Sequence, residues 1–135
     1  MIRIAIVDDE KVIREQIKNL IEKKQTESII DSYSSGKELL MVKHCYDIVF
    51  LDIQMEGMNG IETARALRQK TEDVILIFIT GVKEYVFDVF DVAAFHYLIK
   101  PIEEIKFHTV YDRAVLEVEK KKQKIERHLF VKTRT

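Results

Sequence analysis

The sequence is poor in the residues that would point to several common chemistries. Its single cysteine, Cys45, has no partner for an internal disulfide, so a reducing cytosol is the expected home of the chain. With no strong activating group beside it in sequence, Cys45 reads as an inert, partly buried thiol. No apolar run approaches the ~20 residues needed to span a bilayer. The opening MIRIAIVDDE lacks the basic region, long apolar stretch and small-residue cleavage site of a secretory signal. The charges nearly cancel: a formal net charge of −1 gives no pull toward nucleic acid or anionic membrane. The four histidines show no paired metal-ligand spacing. What is present is 47% apolar and 33% charged residues over 135 positions, the composition of one globular domain with a real core.

Short apolar runs alternate with longer amphipathic segments. The pattern predicts strands over 2–7, 28–33, 47–51, 74–79 and 95–99. Between them it predicts helices over about 12–24, around Leu39, Leu40 and Val42, around Ile61, Ala64 and Leu67, and over 83–91. Ser34-Ser35-Gly36 offers N-cap chemistry for the second helix, and Pro101 is expected to open a last long helix. Five such alternations imply an α/β fold, a parallel sheet with helices on both faces. The continuously apolar runs 48–51 and 74–79 suit central strands covered on both sides. Right-handed crossovers leave few topologies, of which the flavodoxin-like order 2-1-3-4-5 is the common one, with ligands beyond the carboxyl ends of the strands.

That rule gathers the chemistry-bearing residues. Asp8 and Asp9 end strand 1, Asp52 ends strand 3, Thr80 ends strand 4 and Lys100 ends strand 5. Converging carboxylates resist ionising together unless a cation joins them. Oxygen-only ligands suit a hard cation such as Mg²⁺. Lys100 adds a positive charge, Thr80 a hydroxyl, and Gly81 leaves room for a group to approach. Together they would cradle a phosphoryl group, with the central carboxylate, Asp52, as the nucleophile that forms an acyl phosphate. Taken singly, each residue has an ordinary explanation: a helix cap, a charge on a helix dipole, a turn hydroxyl or an exposed cation. Their joint placement at four strand ends does not.

The set Asp8-Asp9, Asp52, Thr80 and Lys100-Pro101 resembles the receiver domain of bacterial two-component response regulators, over residues 1 to 122. The segment DIQMEGMNG follows the receiver pattern, except that Glu56 stands where the family commonly has proline. The resemblance implies that Asp52 takes a phosphoryl group from the phosphohistidine of a sensor histidine kinase. It implies Mg²⁺ held by Asp9, Asp52 and the backbone carbonyl of Gln54, with Asp8 acting through a metal-bound water. Thr80 and Lys100 would then contact the phosphoryl oxygens, Tyr97 would be the aromatic switch residue, and Lys100–Pro101 would be a cis peptide. Such a protein is a signalling switch, catalysing only its own phosphotransfer and autodephosphorylation, and is expected to form a homodimer through residues 83–118.

A finer resemblance lies in KEYVFDVFDVAAFHYLIKPI, residues 83–102, which is similar to receivers coupled to LytTR-type DNA-binding domains. Residues 117–127 read as a charged helical extension. HLFVKTRT then alternates like the first strand of such a domain, so 123–135 is expected to be a linker followed by that strand, with DNA bound only through a domain that is not here. Rival functions fare worse. A haloacid-dehalogenase-type aspartyl phosphatase needs an acid where Gln54 stands. A flavodoxin-like cofactor binder needs a Ser/Thr/Gly-rich loop where Asp8-Asp9-Glu10 stands. A receiver that works only by protein–protein contact, without a DNA-binding output, remains the alternative.

Overall fold

The computed structural model describes residues 1–24, 27–83 and 86–134, with 86–87 and 128–134 described by backbone alone. Strands and helices alternate without exception: β1 (Ile2–Val7), α1 (Lys11–Glu22), β2 (Ser28–Tyr33), α2 (Gly36–Met41), β3 (Ile48–Leu51), α3 (Gly60–Lys70), β4 (Ile75–Thr80), α4 (Val86–Asp91), β5 (His96–Ile99) and α5 (Glu104–Arg134). The five strands form one parallel sheet in the order β2-β1-β3-β4-β5, as the pattern predicts.

Side chains alternate across the sheet, so each strand feeds two cores. Ile4, Ile6, Ile48, Phe50, Ile75 and Ile77 face α1 and α5, where they meet Ile17, Leu20, Ile21, Phe107, Tyr111 and Val118. Ala5, Val7, Val49, Leu51, Leu76 and Phe78 face α2, α3 and α4, meeting Leu39, Ile61, Ala64, Val89 and Val92. Each fully buried side chain of this size contributes roughly 1.5–3 kcal/mol. β3 and β4 are buried along their whole length, which is why their sequences are uninterrupted apolar runs.

The register fixes where the strands stop. Val7 lies beside Leu51, Leu51 beside Phe78 and Phe78 beside Tyr97. Hydrogen bonding continues one residue further: the Asp8 N–H donates to the Tyr33 carbonyl, Asp52 to Val7, and Lys100 to Thr80 (3.2, 3.0 and 2.9 Å). Asp8 and Asp52 are therefore held side by side by the backbone before their side chains interact.

Several boundaries differ from those the sequence pattern predicts. α4 starts at Val86, and Lys83 is not helical. α5 starts at Glu104 rather than at Pro101: residues 101–103 are not helical, and helical bonding begins with the Phe107 N–H donating to the Glu103 carbonyl. The strand expected over 128–135 is absent, because α5 runs on to Arg134; Thr135 lies outside the described residues. Residues 117–127 contain no glycine or proline to stop a helix. A helix satisfies its own backbone groups, whereas a lone strand needs a neighbour. Cys45 is exposed rather than partly buried, since Tyr46 takes the inward position of that connection. Within the Lys120–Lys122 run, the ammoniums of Lys121 and Lys122 donate to the carbonyls of Asp73 and Met1. Among the described residues no helix is long and apolar enough to cross a membrane.

Candidate functional site

At the carboxyl ends of β1, β3, β4 and β5 the expected residues meet. The Lys100 ammonium lies 2.9 Å from Asp8 Oδ2 and 3.2 Å from Asp52 Oδ2, bridging the two carboxylates. Asp8, Asp52 and Thr80 are all buried, at 1%, 4% and 0% exposure. The Asp52 Oδ1 atom is also buried and finds no hydrogen-bond partner among the described residues. An unsatisfied buried oxygen on an acid is costly.

Burial raises the Asp52 pKa above the ordinary carboxylate range, and the nearby charge of Asp8 raises it further; Lys100 and the Thr80 hydroxyl oppose both without cancelling them. Burial pushes the Lys100 pKa down, but its hydrogen bond to Asp8 and the charges of Asp52 and Asp8 outweigh this, leaving it raised. Lys100 is thus a firmly protonated cation held against two acids.

Asp9 and Glu10 follow Asp8 in the β1–α1 turn. Asp8, Asp9 and Glu10 bring carboxylate oxygens within 4.8 Å of one another, a spacing that could hold a cation. This group includes Glu10, which the sequence pattern does not single out, and excludes Asp52, whose Oδ2 is turned toward Lys100. Asp9 and Glu10 are exposed. Asp8 is anchored further, its Oδ1 accepting the Glu10 N–H at 2.8 Å while its carbonyl accepts Arg14 Nη1 at 2.7 Å. Arg14 lies one helical turn beyond Glu10, the only signal in the sequence that points to it. The Asp8–Asp9–Glu10 donor set, hard carboxylate oxygens with Asp9 and Glu10 exposed, suits Mg²⁺.

The loop after Asp52 is built to hold it still. Asn59 and Glu62 form a capping box at the start of α3: the Glu62 N–H donates to Asn59 Oδ1 (2.9 Å) and the Asn59 N–H to Glu62 Oε1 (3.2 Å). Gly60 follows, buried, with its N–H donating to the Ile53 carbonyl at 2.8 Å. A Cβ at Gly60 would overlap the Asp52 carbonyl oxygen, so only glycine permits this approach. Gln54 and Glu56 are exposed in this loop, so the charge of Glu56 is solvated, and Gly57 turns the chain at φ 77.

On the other side, Gly81 is exposed and has open space where a side chain would stand. The Val82 N–H donates to Thr80 Oγ1 at 3.4 Å, and the Val82 carbonyl accepts the Tyr97 hydroxyl. Tyr97 is half-buried against the core on the α4 side. Thr80 and Tyr97 therefore meet through a single intervening residue. The Lys100–Pro101 bond is cis. On α4, Phe90 is 75% exposed, while the side chains of Val86 and Phe87 lie outside the described residues.

Comparison with known proteins agrees with this geometry. Residues 4–112 match the family "Response regulator receiver domain". The sensory transduction protein LytT of Oceanobacillus iheyensis is 35% identical over 116 residues, covering 83% of this chain and 47% of that protein. The transcriptional regulatory protein BtsR of Escherichia coli is 33% identical over 127 residues, covering 93% and 52%. The chain thus spans about half the length of the curated relatives it matches. Among solved structures, the response regulator TrrA of Thermotoga maritima in complex with Mg(2+)-BeF is 33% identical, with a TM-score of 0.76 over 84% of this chain and 99% of that one. The regulatory domain of mrkE from Klebsiella pneumoniae is 26% identical, with a TM-score of 0.81 over 87% and 98%. This chain belongs to the family of response regulator receiver domains.

Proposed function

We propose that Asp52 is the phosphoacceptor and that the chain is a phosphorylation switch served by a sensor histidine kinase. The observation that carries this is the buried Asp52 Oδ1 without a partner, beside an ammonium and at the mouth of an acidic turn. A carboxylate oxygen of Asp52 attacks the phosphorus of a phosphohistidine. A phosphorus–oxygen bond forms as the phosphorus–nitrogen bond breaks, and the electron pair returns to the imidazole. When bound by Asp9, Asp52 and the Gln54 carbonyl, with Asp8 acting through water and Glu10 close by, Mg²⁺ supplies neutralising charge for the phosphoryl oxygens.

Lys100 is placed to pass from the Asp52 carboxylate to a phosphoryl oxygen without leaving Asp8. Thr80 can donate its hydroxyl to another phosphoryl oxygen, beside the opening at Gly81. That draws on the hydroxyl that now accepts the Val82 N–H, and through Val82 it reaches Tyr97. Phosphorylation thereby biases an existing two-state equilibrium. A shift from 1% to 99% active needs about 5.5 kcal/mol of differential stabilisation, to which each charge-assisted hydrogen bond adds a share. The exposed Phe90, Ile99, Ile105 and Leu116 support a homodimer through 83–118 as the response. The name of BtsR supports a transcriptional output, exerted from the cytoplasm by a LytTR-type domain after the receiver, with 123–135 as the connecting segment.

Intact-mass spectrometry after incubation with acetyl phosphate, with and without Mg²⁺, tests the reading. One Mg²⁺-dependent phosphoryl adduct, absent from Asp52→Asn, is expected. No adduct under any condition overturns it and leaves a module that works by protein contact alone. Sedimentation of the phosphorylated and free protein tests the dimer, and an unchanged mass would exclude it.

A further inference from the structure

Arg68, in the last turn of α3, reaches away from the phosphoacceptor and grips the far end of α4. Its Nε donates to the Val92 carbonyl at 2.8 Å and Nη2 to the Ala93 carbonyl at 3.0 Å. Its Nη1 donates to the carbonyls of Glu72 and Val74 at 3.0 and 2.6 Å. One planar fork thus ties the turn after α4 to the segment that leads into β4, which a single ammonium could not do.

The turn it grips closes α4 in a left-handed cap. The Ala93 N–H donates to the Phe90 carbonyl and the Ala94 N–H to the Val89 carbonyl, with Ala93 at φ 53. The Phe95 N–H then donates to the Leu76 carbonyl at 2.7 Å, fixing the approach to β5. Among the described residues ahead of α4, Val82 is tethered by the 3.4 Å bond to Thr80 Oγ1 and by the bond from Tyr97, and the first depends on a hydroxyl that faces Asp52.

We propose that Arg68 is a positioning residue that pins the C-terminal end of α4, so that phosphorylation moves the chain around Val82 while the 92–95 turn stays fixed. The proposal rests on Asp52 as phosphoacceptor. It makes α4 a short arm with one fixed end, tied to α3 through Arg68 as well as to β4 through the Phe95 N–H.

Hydrogen exchange by mass spectrometry, on protein whose Asp52 adduct has been verified by mass, tests this. In the unaltered protein, phosphorylation is expected to change exchange at Val82 and Lys83 and to leave the 92–95 amides unchanged. In Arg68→Met, exchange at 92–95 should rise about tenfold or more without phosphate, and the phosphate-dependent change should spread into 92–95. Arg68→Lys should not restore confinement. A change at 92–95 in the phosphorylated unaltered protein as large as that at 82–83 overturns the proposal, and so does unchanged 92–95 exchange in Arg68→Met. Should Arg68→Met fail to fold, the unaltered protein decides alone. Absence of an adduct overturns the phosphoacceptor reading and the switching half of this one. The pin is then judged by 92–95 exchange in unphosphorylated Arg68→Met.

Discussion

The two faces of the sheet are made by the same strands yet are fastened differently. On the α1–α5 face, Phe50 stacks on Phe107 at 5.3 Å and Phe107 on Tyr111 at 6.2 Å, all buried. His108 Nε2 donates to the Leu20 carbonyl, and ion pairs Lys23–Glu104 and Lys24–Asp112 stitch the same two helices from outside. At the α4–β5 corner, Val89 and Val92 are buried but Phe90 points out, and the chain is held by polar tethers from Arg68 and Tyr97. Packed apolar surface yields only when much of the domain yields, whereas a few hydrogen bonds can exchange one at a time. The α1–α5 face is closed by packed rings, whereas the α4–β5 corner is tied by a few polar contacts.

The largest expected effect breaks this comparison most directly. Phe107→Ala should cost about 3–5 kcal/mol of unfolding free energy. Phe90→Ala should stay within about 0.5 kcal/mol while weakening the phosphorylation-induced dimer. Urea denaturation and sedimentation measure the two, and equal stability losses would mean the faces are not different. Gly60→Ala comes next, at about 1–3 kcal/mol, because a methyl must displace the Asp52 carbonyl. Its phosphorylation by acetyl phosphate should also slow, since the acceptor moves with its backbone.

Ala93→Gly should stabilise the protein by roughly 0.5–1 kcal/mol, relieving a left-handed alanine at the cap of α4. A loss of stability would show that this turn is not held as described. The last prediction concerns pH. Because the folded-state pKa of Asp52 is raised by burial and by Asp8, its favourable contribution is present below the unfolded value and is lost as pH rises through the folded value. Asp52→Asn should therefore melt higher than the unaltered protein at pH 7, with the gap closing as pH falls into the carboxylate range. A gap that widens on acidification would reverse the sign assigned to the site.

Much of the site is legible in the order of residues alone. Asp8, Asp52, Thr80 and Lys100 can be placed together because apolar runs mark strands, strand–helix alternation forces parallel pairing, and parallel strands end on one edge. The capping serine of α2 is legible for a local reason, and Ser35 Oγ does accept the Glu38 N–H. The roles of Glu10, Arg14, Gly60 and Arg68 are not legible in this way. Glu10 and Arg14 act through the way the β1–α1 turn folds back on Asp8, and Gly60 through a backbone contact eight residues away. Arg68 meets carbonyls 24 and 25 residues along the chain, a distance that periodicity does not reach.

The sequence by itself determined the five-unit parallel architecture, the edge on which the acids, hydroxyl and ammonium converge, and the chemistry those groups share. Hydrophobic period and chain connectivity suffice for that. The tertiary structure alone decided that Lys100 bridges Asp8 and Asp52, that Asp52 Oδ1 is left without a partner, that Tyr97 reaches Thr80 through Val82, and that α5 runs on to Arg134. Such features depend on distances of a few tenths of an ångström between groups far apart in the chain, which only the packed fold sets.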